Sequence, residues 1–491
     1  MIAELSTRQS GGLRRTGAPS AWQVVLGGAL AGGMGWGIRG QYGHETGAMI
    51  AGLLISLTLV LLLGPHAASL SAARAVAWGT VAIGFGGSMT YGQTIGLTQN
   101  PAMIGNHAAL AWGLLGLAVK GGLWIGFAGV FLGMGLSGTR YRPRELLWVL
   151  LGLLGCYAFG VWLLNTPFAP AERVLPRLYF SADWRWEPEA ELTPRPEVWG
   201  GLLFALLGLL VYVGTIRGDR LARCVGLWGV LGGAVGFPLG QSLQAFRAWH
   251  PEVFRTGWWL SLDPHLNWWN LMEITFGATA GAALGAGLWC HRTRLAALDR
   301  PEAPRLSRAM EGGLLAGHVG LLLAAEFSGW SVVEAVYDPG LVMGLIPVVA
   351  IAGGRVWPYL LVLPVTVLPI AAKTWLRAVA TGGGGSTAAG ALLYLVVPLG
   401  VTALVAAWYA RGDRVGRSGA GFLRSTLLLS VWLYFGLNFA FFGFPWPWAS
   451  WTTRTPSALI FLGCALGLSG LAVASRRGSE EVVPSRLILA D

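Results

Sequence analysis

Between two long apolar stretches, residues 36–47 read WGIRGQYGHETG. This segment places Arg39, Gln41, His44 and Glu45 between two sequences that are each long enough to cross a membrane as a helix. Polar groups at membrane depth are costly, because lipid offers them no hydrogen-bond partners. The segment therefore predicts a helical membrane fold with a polar site where its first two spans meet.

The composition of the whole chain agrees with a membrane fold. Of its 491 residues, 54% are hydrophobic and only 12% are charged, and the mean hydropathy is +0.58. Soluble domains carry roughly 25% charged residues. The 74 glycines favour close approach of helices, and most of the 25 tryptophans are expected at the membrane–water boundaries. We therefore predict an all-α polytopic membrane protein.

Apolar runs of about 20 residues, the length that crosses a bilayer, recur along the chain. They lie at 22–40, 46–64, 76–97, 108–136, 146–164, 197–215, 224–246, 268–290, 309–328, 340–354, 356–372, 387–409, 424–442 and 456–474. They predict about fourteen transmembrane helices, although the short pair beside Arg355 is also compatible with a re-entrant hairpin. Most Lys and Arg residues fall in one alternating set of loops, which predicts an inner-membrane protein with both termini in the cytoplasm.

This map divides the chain into a cytoplasmic tail, two helical halves, an extra helix pair and a second cytoplasmic tail. These parts are 1–21, 22–215, 224–409, 424–474 and 475–491. Within the first half, the Pro-rich and acidic loop 165–196 is expected to face outward, as an ordinary connector or as a cap or gate. Residues 382–386, with the sequence GGGGS, are expected to form a flexible linker or hinge.

A recurring pattern indicates an internal repeat. In the first, third and seventh spans, small residues are followed by a Gly-Gln step that ends at Gln41, Gln93 and Gln241. The spans that follow the first and the seventh carry Glu45 and Glu273 near their outer ends. The six-span offset predicts a parallel repeat of two six-helix halves plus two C-terminal helices, an organisation found in secondary transporters. Chance similarity between Gly-rich apolar sequences is the alternative.

The candidate site residues lie in the outer thirds of their spans, except His318, which lies near mid-span. The predicted substrate ligands are Arg39, Gln41, His44, Gln93, Gln241 and His318, and the predicted ion-coupling residues are Glu45, Lys120 and Glu273. Apolar and small residues surround Lys120, so it needs a carboxylate partner or a wet cavity, and Glu45 and Glu273 are the expected partners. Structural alternatives are helix bridging by the glutamines and snorkelling of Arg39 to the headgroups.

Three functions are compatible with these residues. The first is a secondary active transporter that moves a small polar or anionic solute, coupled to H⁺ or Na⁺. The second is an intramembrane enzyme acting on a lipid-linked or envelope substrate, with His44 and Glu45 as base and acid. The third is a scaffold subunit of a larger membrane complex.

Several other functions lack support in the sequence. It contains no Walker A motif, no HExxH motif, no GxSxG nucleophile elbow and no CxxC spacing among its four cysteines. We therefore expect neither a cofactor nor a metal ion. The net charge of +11 is spread over short loops, so it indicates membrane topology and lipid contact instead of nucleic-acid binding.

Overall fold

The structure is a computed structural model that describes most of the chain. The described residues are 19–43, 45–64, 68–84, 91–296, 305–333, 341–381, 387–412, 418–447 and 450–480, without the side chains of 45, 341–343 and 476–480. The chain is 79% helical, and the described residues contain no strand. Ten of the described helices are long and apolar enough to cross a membrane. The prediction of an all-α membrane protein is thereby confirmed, and the number of fourteen spans stays a prediction.

We number the helices along the chain. They are α1 Ala21–Arg39, α2 Glu45–Leu63, α3 Ser69–Ala82, α4 Gly92–Gln99, α5 His107–Leu136, α6 Pro143–Leu164, α7 Trp199–Ile216, α8 Arg220–Trp249, α9 Trp268–Cys290, α10 Arg308–Phe327, α11 Leu341–Gly353, α12 Trp357–Ala380, α13 Thr387–Gly412, α14 Gly419–Phe441 and α15 Thr455–Glu480. Three of them, α7, α12 and α13, contain one π-helical turn each. Following the predicted orientation, we call the end of the bundle where α1 ends and α2 begins the outer end.

Local sequence explains where several of these helices begin. The side chains of Asn106, Asp219 and Asn267 each accept a hydrogen bond, at 2.9 to 3.0 Å, from the backbone N–H three residues further on. Such caps satisfy N–H groups that have no partner inside the helix. Between α1 and α2, Gly43 has a φ of +98°, which glycine adopts readily, and this allows the tight reversal of the chain.

Six helices form a closed ring at the centre of the molecule. In the order α1, α2, α3, α5, α8 and α9, each helix packs against the next, and α9 packs back against α1. The short helix α4 lies against α5 and α8. The other helices pack around this ring, and only 17% of the residues in the apolar windows of α6 and α13 are buried, as expected for helices that face lipid.

Glycines make the closest contacts in this ring. A Cβ atom on Gly28 would lie 2.2 Å from the carbonyl oxygen of Gly281, and one on Gly32 would lie 2.0 Å from that of Gly277. The glycines of α8 that pack against α9 are Gly232, Gly236 and Gly240. The predicted role of small residues four positions apart in tight helix packing is therefore confirmed for α1 and α8.

The prediction of one continuous helix over 76–97 is wrong. α3 ends at Ala82, and α4 begins only at Gly92. The sequence after α3, IGFGG at 83–87, is rich in glycine, which disfavours an α-helix by about 1 kcal/mol per residue relative to alanine. Discontinuous helices of this kind recur in membrane transporters, where they present backbone groups to a substrate.

The packing around the ring does not reproduce the predicted repeat. In the predicted repeat, α1 corresponds to α8 and α2 corresponds to α9. Helix α9 packs along α1, but among the described residues α2 makes no comparable contact with α8. The third span is broken, whereas its predicted counterpart α10 is continuous. The parallel repeat and the domain boundaries that depend on it therefore stay predictions, and the predicted linker 382–386 lies outside the described residues.

Glu311 of α10 holds the start of α12. Its Oε1 accepts hydrogen bonds from the backbone N–H groups of Val356, at 2.7 Å, and Trp357, at 2.6 Å. The first N–H groups of a helix have no partner within it, and the helix dipole favours a negative charge at that position. Glu311 thus ties two helices together through backbone groups.

We expect Glu311→Ala to lower the stability of the protein by about 1–3 kcal/mol, because it leaves the N–H group of the buried Trp357 and that of Val356 without this acceptor. Glu311→Gln keeps one carbonyl acceptor and should cost less. Thermal unfolding of the purified protein in detergent measures both effects. Glu172→Ala, in an exposed loop, is the control, and an equal loss in this control would contradict the proposed role of Glu311.

Candidate functional site

Arg39, the last residue of α1, forms a buried ion pair with Glu273 of α9. Arg39 Nη2 lies 3.0 Å from Glu273 Oε1, and each side chain is only 2% exposed. The Tyr91 hydroxyl accepts a hydrogen bond from the same Nη2, and Trp269 Nε1 donates to Glu273 Oε1 at 3.2 Å. Arg39 therefore does not snorkel to the headgroups, and the two predicted site residues Arg39 and Glu273 lie together.

Aromatic rings surround the guanidinium of Arg39. Its Cζ atom lies 5.1 to 5.5 Å from the ring centroids of Trp36, Tyr91 and Trp124, within the range of cation–π attraction. Trp124 Nε1 also donates a hydrogen bond to the carbonyl oxygen of Ile83, just beyond the end of α3. The aromatic rings thus connect Arg39 to one side of the break between α3 and α4.

Lys120 lies in the middle of α5, and its partner is Glu197. Lys120 Nζ is 2.7 Å from Glu197 Oε1, with both side chains 1% exposed, and it also donates to Thr94 Oγ1 at 2.7 Å. The expected partner Glu273 pairs with Arg39 instead, and the side chain of Glu45, the other expected partner, lies outside the described residues. Glu197 stands just before α7 and is the first residue of the predicted span 197–215, so spacing along the chain gave no indication of this contact.

The loop before α7 reaches down to Lys120. Ser181 Oγ donates to Glu197 Oε1 at 2.8 Å, and the backbone N–H of Phe180 donates to Glu197 Oε2 at 2.9 Å. The backbone N–H of Ala182 donates to the carbonyl oxygen of Gln93 at 3.1 Å. Residues 179–181 and 183 of the predicted loop 165–196 are therefore buried in the bundle, which an ordinary connector does not require.

The short helix α4 connects these contacts. Tyr91 at its start contacts Arg39, Thr94 accepts from Lys120, and Thr98 Oγ1 accepts from Gln241 Nε2 at 2.7 Å. Tyr91 directly precedes α4, and Thr94 and Thr98 are four positions apart within it, so they lie on one helix face. Helix α4 and the residue before it thus contact both ion pairs.

Two of the remaining predicted ligands, Gln93 and His318, make their contacts away from the ion pairs. Gln93 Nε2 donates to the carbonyl oxygen of Thr193 at 3.0 Å, and its Oε1 accepts from the backbone N–H of Arg195 at 3.2 Å, so Gln93 anchors the docked loop. His318 is fully buried with its ring 5.5 Å from that of Trp357. No hydrogen bond or ion pair within the described ranges joins His318 to Arg39 or Lys120.

A third ion pair, absent from the predicted site, holds the α1–α2 junction from the other side. Lys373 Nζ pairs with Glu326 and donates to the carbonyl oxygen of Tyr42 at 2.9 Å. Thr46 Oγ1 donates to Glu326 Oε1 at 2.6 Å.

The predicted span 356–372 stops one residue before Lys373, so the lysine was assigned to a loop. In the structure, α12 continues to Ala380. The helical spacing of apolar residues continues past Lys373, and this was the signal available in the sequence.

A small pocket lies next to the Arg39–Glu273 pair at the outer end. The polar side chains that line it are Gln41, Asn270, Asn438, Arg454 and Ser457. It holds about one water molecule. Among the described residues, Gln41 Oε1 and Asn438 Nδ2 have no hydrogen-bond partner, so both can bind water or a polar group of a solute.

The loop between α8 and α9 is fixed by an acidic residue. Asp263 accepts hydrogen bonds from Arg247 Nη2 at 3.0 Å and from Trp268 Nε1 at 2.7 Å. Burial raises the pKa of Asp263, but these hydrogen bonds outweigh it and hold the pKa below its ordinary value. Asp263 is therefore ionised at neutral pH and keeps Trp268 fixed beside the start of α9.

Two predicted site residues cannot be placed. His44 and the side chain of Glu45 lie outside the described residues. In the part of the chain that the structure does describe, no three His, Cys, Asp or Glu side chains are grouped so that they could hold a metal ion.

Comparison of the chain with protein-family models, with curated proteins and with solved structures gives no significant match. Function is therefore inferred from the geometry of the two ion pairs and of helix α4 beside them.

Proposed function

We propose that the protein is a secondary active transporter that moves a small polar or anionic solute across the membrane, coupled to H⁺ or Na⁺. The observation that carries this proposal is the break between α3 and α4, which two buried ion pairs flank. Buried ion pairs add little stability compared with apolar packing, and charged residues inside membrane proteins occur mainly along substrate and ion pathways. Two such pairs at one broken helix favour a function over a purely structural role.

The broken helix supplies the groups that a solute needs. The first N–H groups of α4 and the last C=O groups of α3 have no partner within their own helices, and backbone groups of this kind bind substrates in transporters. Arg39 and Lys120 add positive charge next to α4. In this scheme Glu273 is the coupling carboxylate, because H⁺ or Na⁺ bound to it weakens its attraction for Arg39 and frees the guanidinium for an anionic solute.

In this proposal the described residues correspond to a closed conformation. The pocket beside Arg39 and Glu273 holds about one water molecule, so a solute enters only when helices around the ring separate. Transport by alternating access requires such a second state. The enzyme hypothesis depends on His44 and Glu45, for which the structure gives no geometry, and no observation favours the scaffold hypothesis.

Proteoliposomes that contain the purified full chain and the trapped pH dye pyranine test the proposal. Carboxylates, amino acids, phosphate and sugars are added outside, one class at a time, with and without an imposed Na⁺ gradient. We expect one class to cause a change of internal pH, or a Na⁺-dependent uptake of the labelled solute. Glu273→Gln should reduce this flux to the level of empty liposomes, because the amide cannot be ionised.

Glu252→Gln is the matched control, because this side chain is 70% exposed and lies in a loop. We expect it to transport at the wild-type rate. If no solute class causes flux with either gradient, the transport proposal fails. If flux occurs and Glu273→Gln transports normally, the assignment of the coupling carboxylate fails.

A further inference from the structure

The carboxylate of Glu197 occupies a small site built from three hydrogen-bond donors. The donors are Lys120 Nζ at 2.7 Å, Ser181 Oγ at 2.8 Å and the backbone N–H of Phe180 at 2.9 Å. An ammonium group, a hydroxyl and a backbone amide are a suitable donor set for any carboxylate. The site carries one positive charge, so it matches a single carboxylate group.

Glu197 differs from the anionic partners in the other two ion pairs. Glu273 lies within α9 and Glu326 within α10, so neither carboxylate can leave its site unless a helix moves. Glu197 stands in the segment before α7 and is followed within two residues by the helix start. We call residues 179–197 the docked segment. Its carboxylate can leave when this segment alone moves.

We propose that Glu197 is a built-in substitute for the carboxylate of the transported solute, and that the docked segment is the gate that carries it. This inference depends on the proposed transport function and names the solute class as a small monocarboxylate. The solute carboxylate replaces that of Glu197 on Lys120, Ser181 and the Phe180 amide as the gate opens.

The exchange solves an energetic problem of gate opening. If the docked segment left without replacement, Lys120 would remain buried without its anion, a state that is strongly destabilised. An arriving carboxylate keeps the ammonium paired throughout the movement. The gate therefore opens easily only when a solute of the correct chemical class is present, which couples opening to solute recognition.

The contacts of the docked segment are reversible ones. Phe180 lies between Trp112 and Trp199, with ring centroids 5.1 and 5.2 Å apart. Gly116 of α5 makes room for it, since a Cβ there would lie 2.7 Å from the Cβ of Phe180. Gln93 adds side-chain hydrogen bonds to the backbone of the segment. Aromatic and hydrogen-bonding contacts of this kind hold a closed state and release it without covalent change.

Acetate restoration of Glu197→Ala tests the inference, because acetate contains the same heavy atoms that the substitution removes. The thermal unfolding midpoint of the purified full chain is measured in sodium acetate and in sodium chloride at equal ionic strength and pH. We expect Glu197→Ala to unfold at a lower temperature than wild type, and acetate to raise its midpoint saturably and more than chloride does. Wild type and Glu326→Ala should show no such preference.

Removal of the cation is the second control. Lys120→Met/Glu197→Ala should lose the response to acetate, because its donor set lacks the ammonium. An equal response to acetate and chloride in Glu197→Ala, or an undiminished acetate response in the double variant, overturns the inference.

A measurement that keeps Lys120, Glu197 and the Phe180 amide covers the case in which Glu197→Ala does not fold. Ser181→Cys, in a background with the other cysteines replaced by serine, places a thiol inside the closed gate. We expect acetate, but not chloride, to accelerate its labelling by a maleimide reagent in proteoliposomes. Equal labelling rates in the two salts overturn the inference. If acetate has a specific effect but no solute class is transported, the carboxylate site is supported and the transport function is refuted.

Discussion

Arg39→Met is expected to destabilise the protein by about 3–5 kcal/mol, whereas Arg39→Met combined with Glu273→Met should recover most of that loss. The single substitution leaves the carboxylate of Glu273 buried, 2% exposed, without the cation that neutralises it. The double variant replaces both charges with apolar side chains of similar length. Thermal or denaturant unfolding of the purified protein measures both effects.

In these variants, the transport rate should not recover when the stability recovers. Because neither single nor double variant retains the guanidinium, we expect both to be inactive even where the double variant is well folded. Lys373→Met provides a comparison, since the side chain of Glu326 that it leaves without a cation is 9% exposed, against 2% for Glu273. A double variant as unstable as Arg39→Met, or a double variant that transports, would show that the pair does not act in the way proposed.

Gly32→Val is expected to prevent normal assembly of the central ring. The new Cβ would lie 2.0 Å from the carbonyl oxygen of Gly277, and the backbone of α9 cannot give way without moving along its whole contact with α1. Overpacking in protein cores typically costs 1–3 kcal/mol, and about 3 kcal/mol or more is expected for a clash with backbone. Fluorescence-detected size-exclusion chromatography, followed by thermal unfolding, measures the loss of folded protein.

Gly313→Val in α10 is the matched control for this experiment. A Cβ at Gly313 would meet no atom within 4 Å, so the valine has open space. We expect this variant to elute and unfold like wild type. If Gly32→Val behaves in the same way as Gly313→Val, α1 and α9 are not packed as closely as the structure indicates.

In the proposed transport mechanism, the two ion pairs that lie beside α4 have different roles. Arg39 and Glu273 lie between two helices of the ring, so a change in their charge acts on the packing of α1 against α9. Lys120 and Glu197 join α5 to the docked segment, so a change there acts on the gate. Because Tyr91 directly precedes α4 and Thr94 lies within it, a movement of α4 affects both pairs together.

Part of the candidate site was readable from the sequence because a charge among apolar residues is visible without a structure. Arg39, Lys120 and Glu273 stand out for this reason, and all three are buried and paired. The partners of these three residues could not be predicted from the sequence. Glu197 was predicted as the first residue of a span and Lys373 as a loop residue, because hydropathy locates the centre of a span better than its ends.

The sequence by itself determined the membrane class, the helical content and the positions of the tight helix contacts, since these follow from local hydropathy and from glycine spacing. Only the tertiary structure decided that the third span is broken and that the docked segment enters the bundle to reach Lys120. The physical reason is that hydropathy and periodicity report how each residue meets lipid or its neighbours along one helix. The partner of a buried charge is chosen by three-dimensional packing, which brings together residues as far apart along the chain as Arg39 and Glu273.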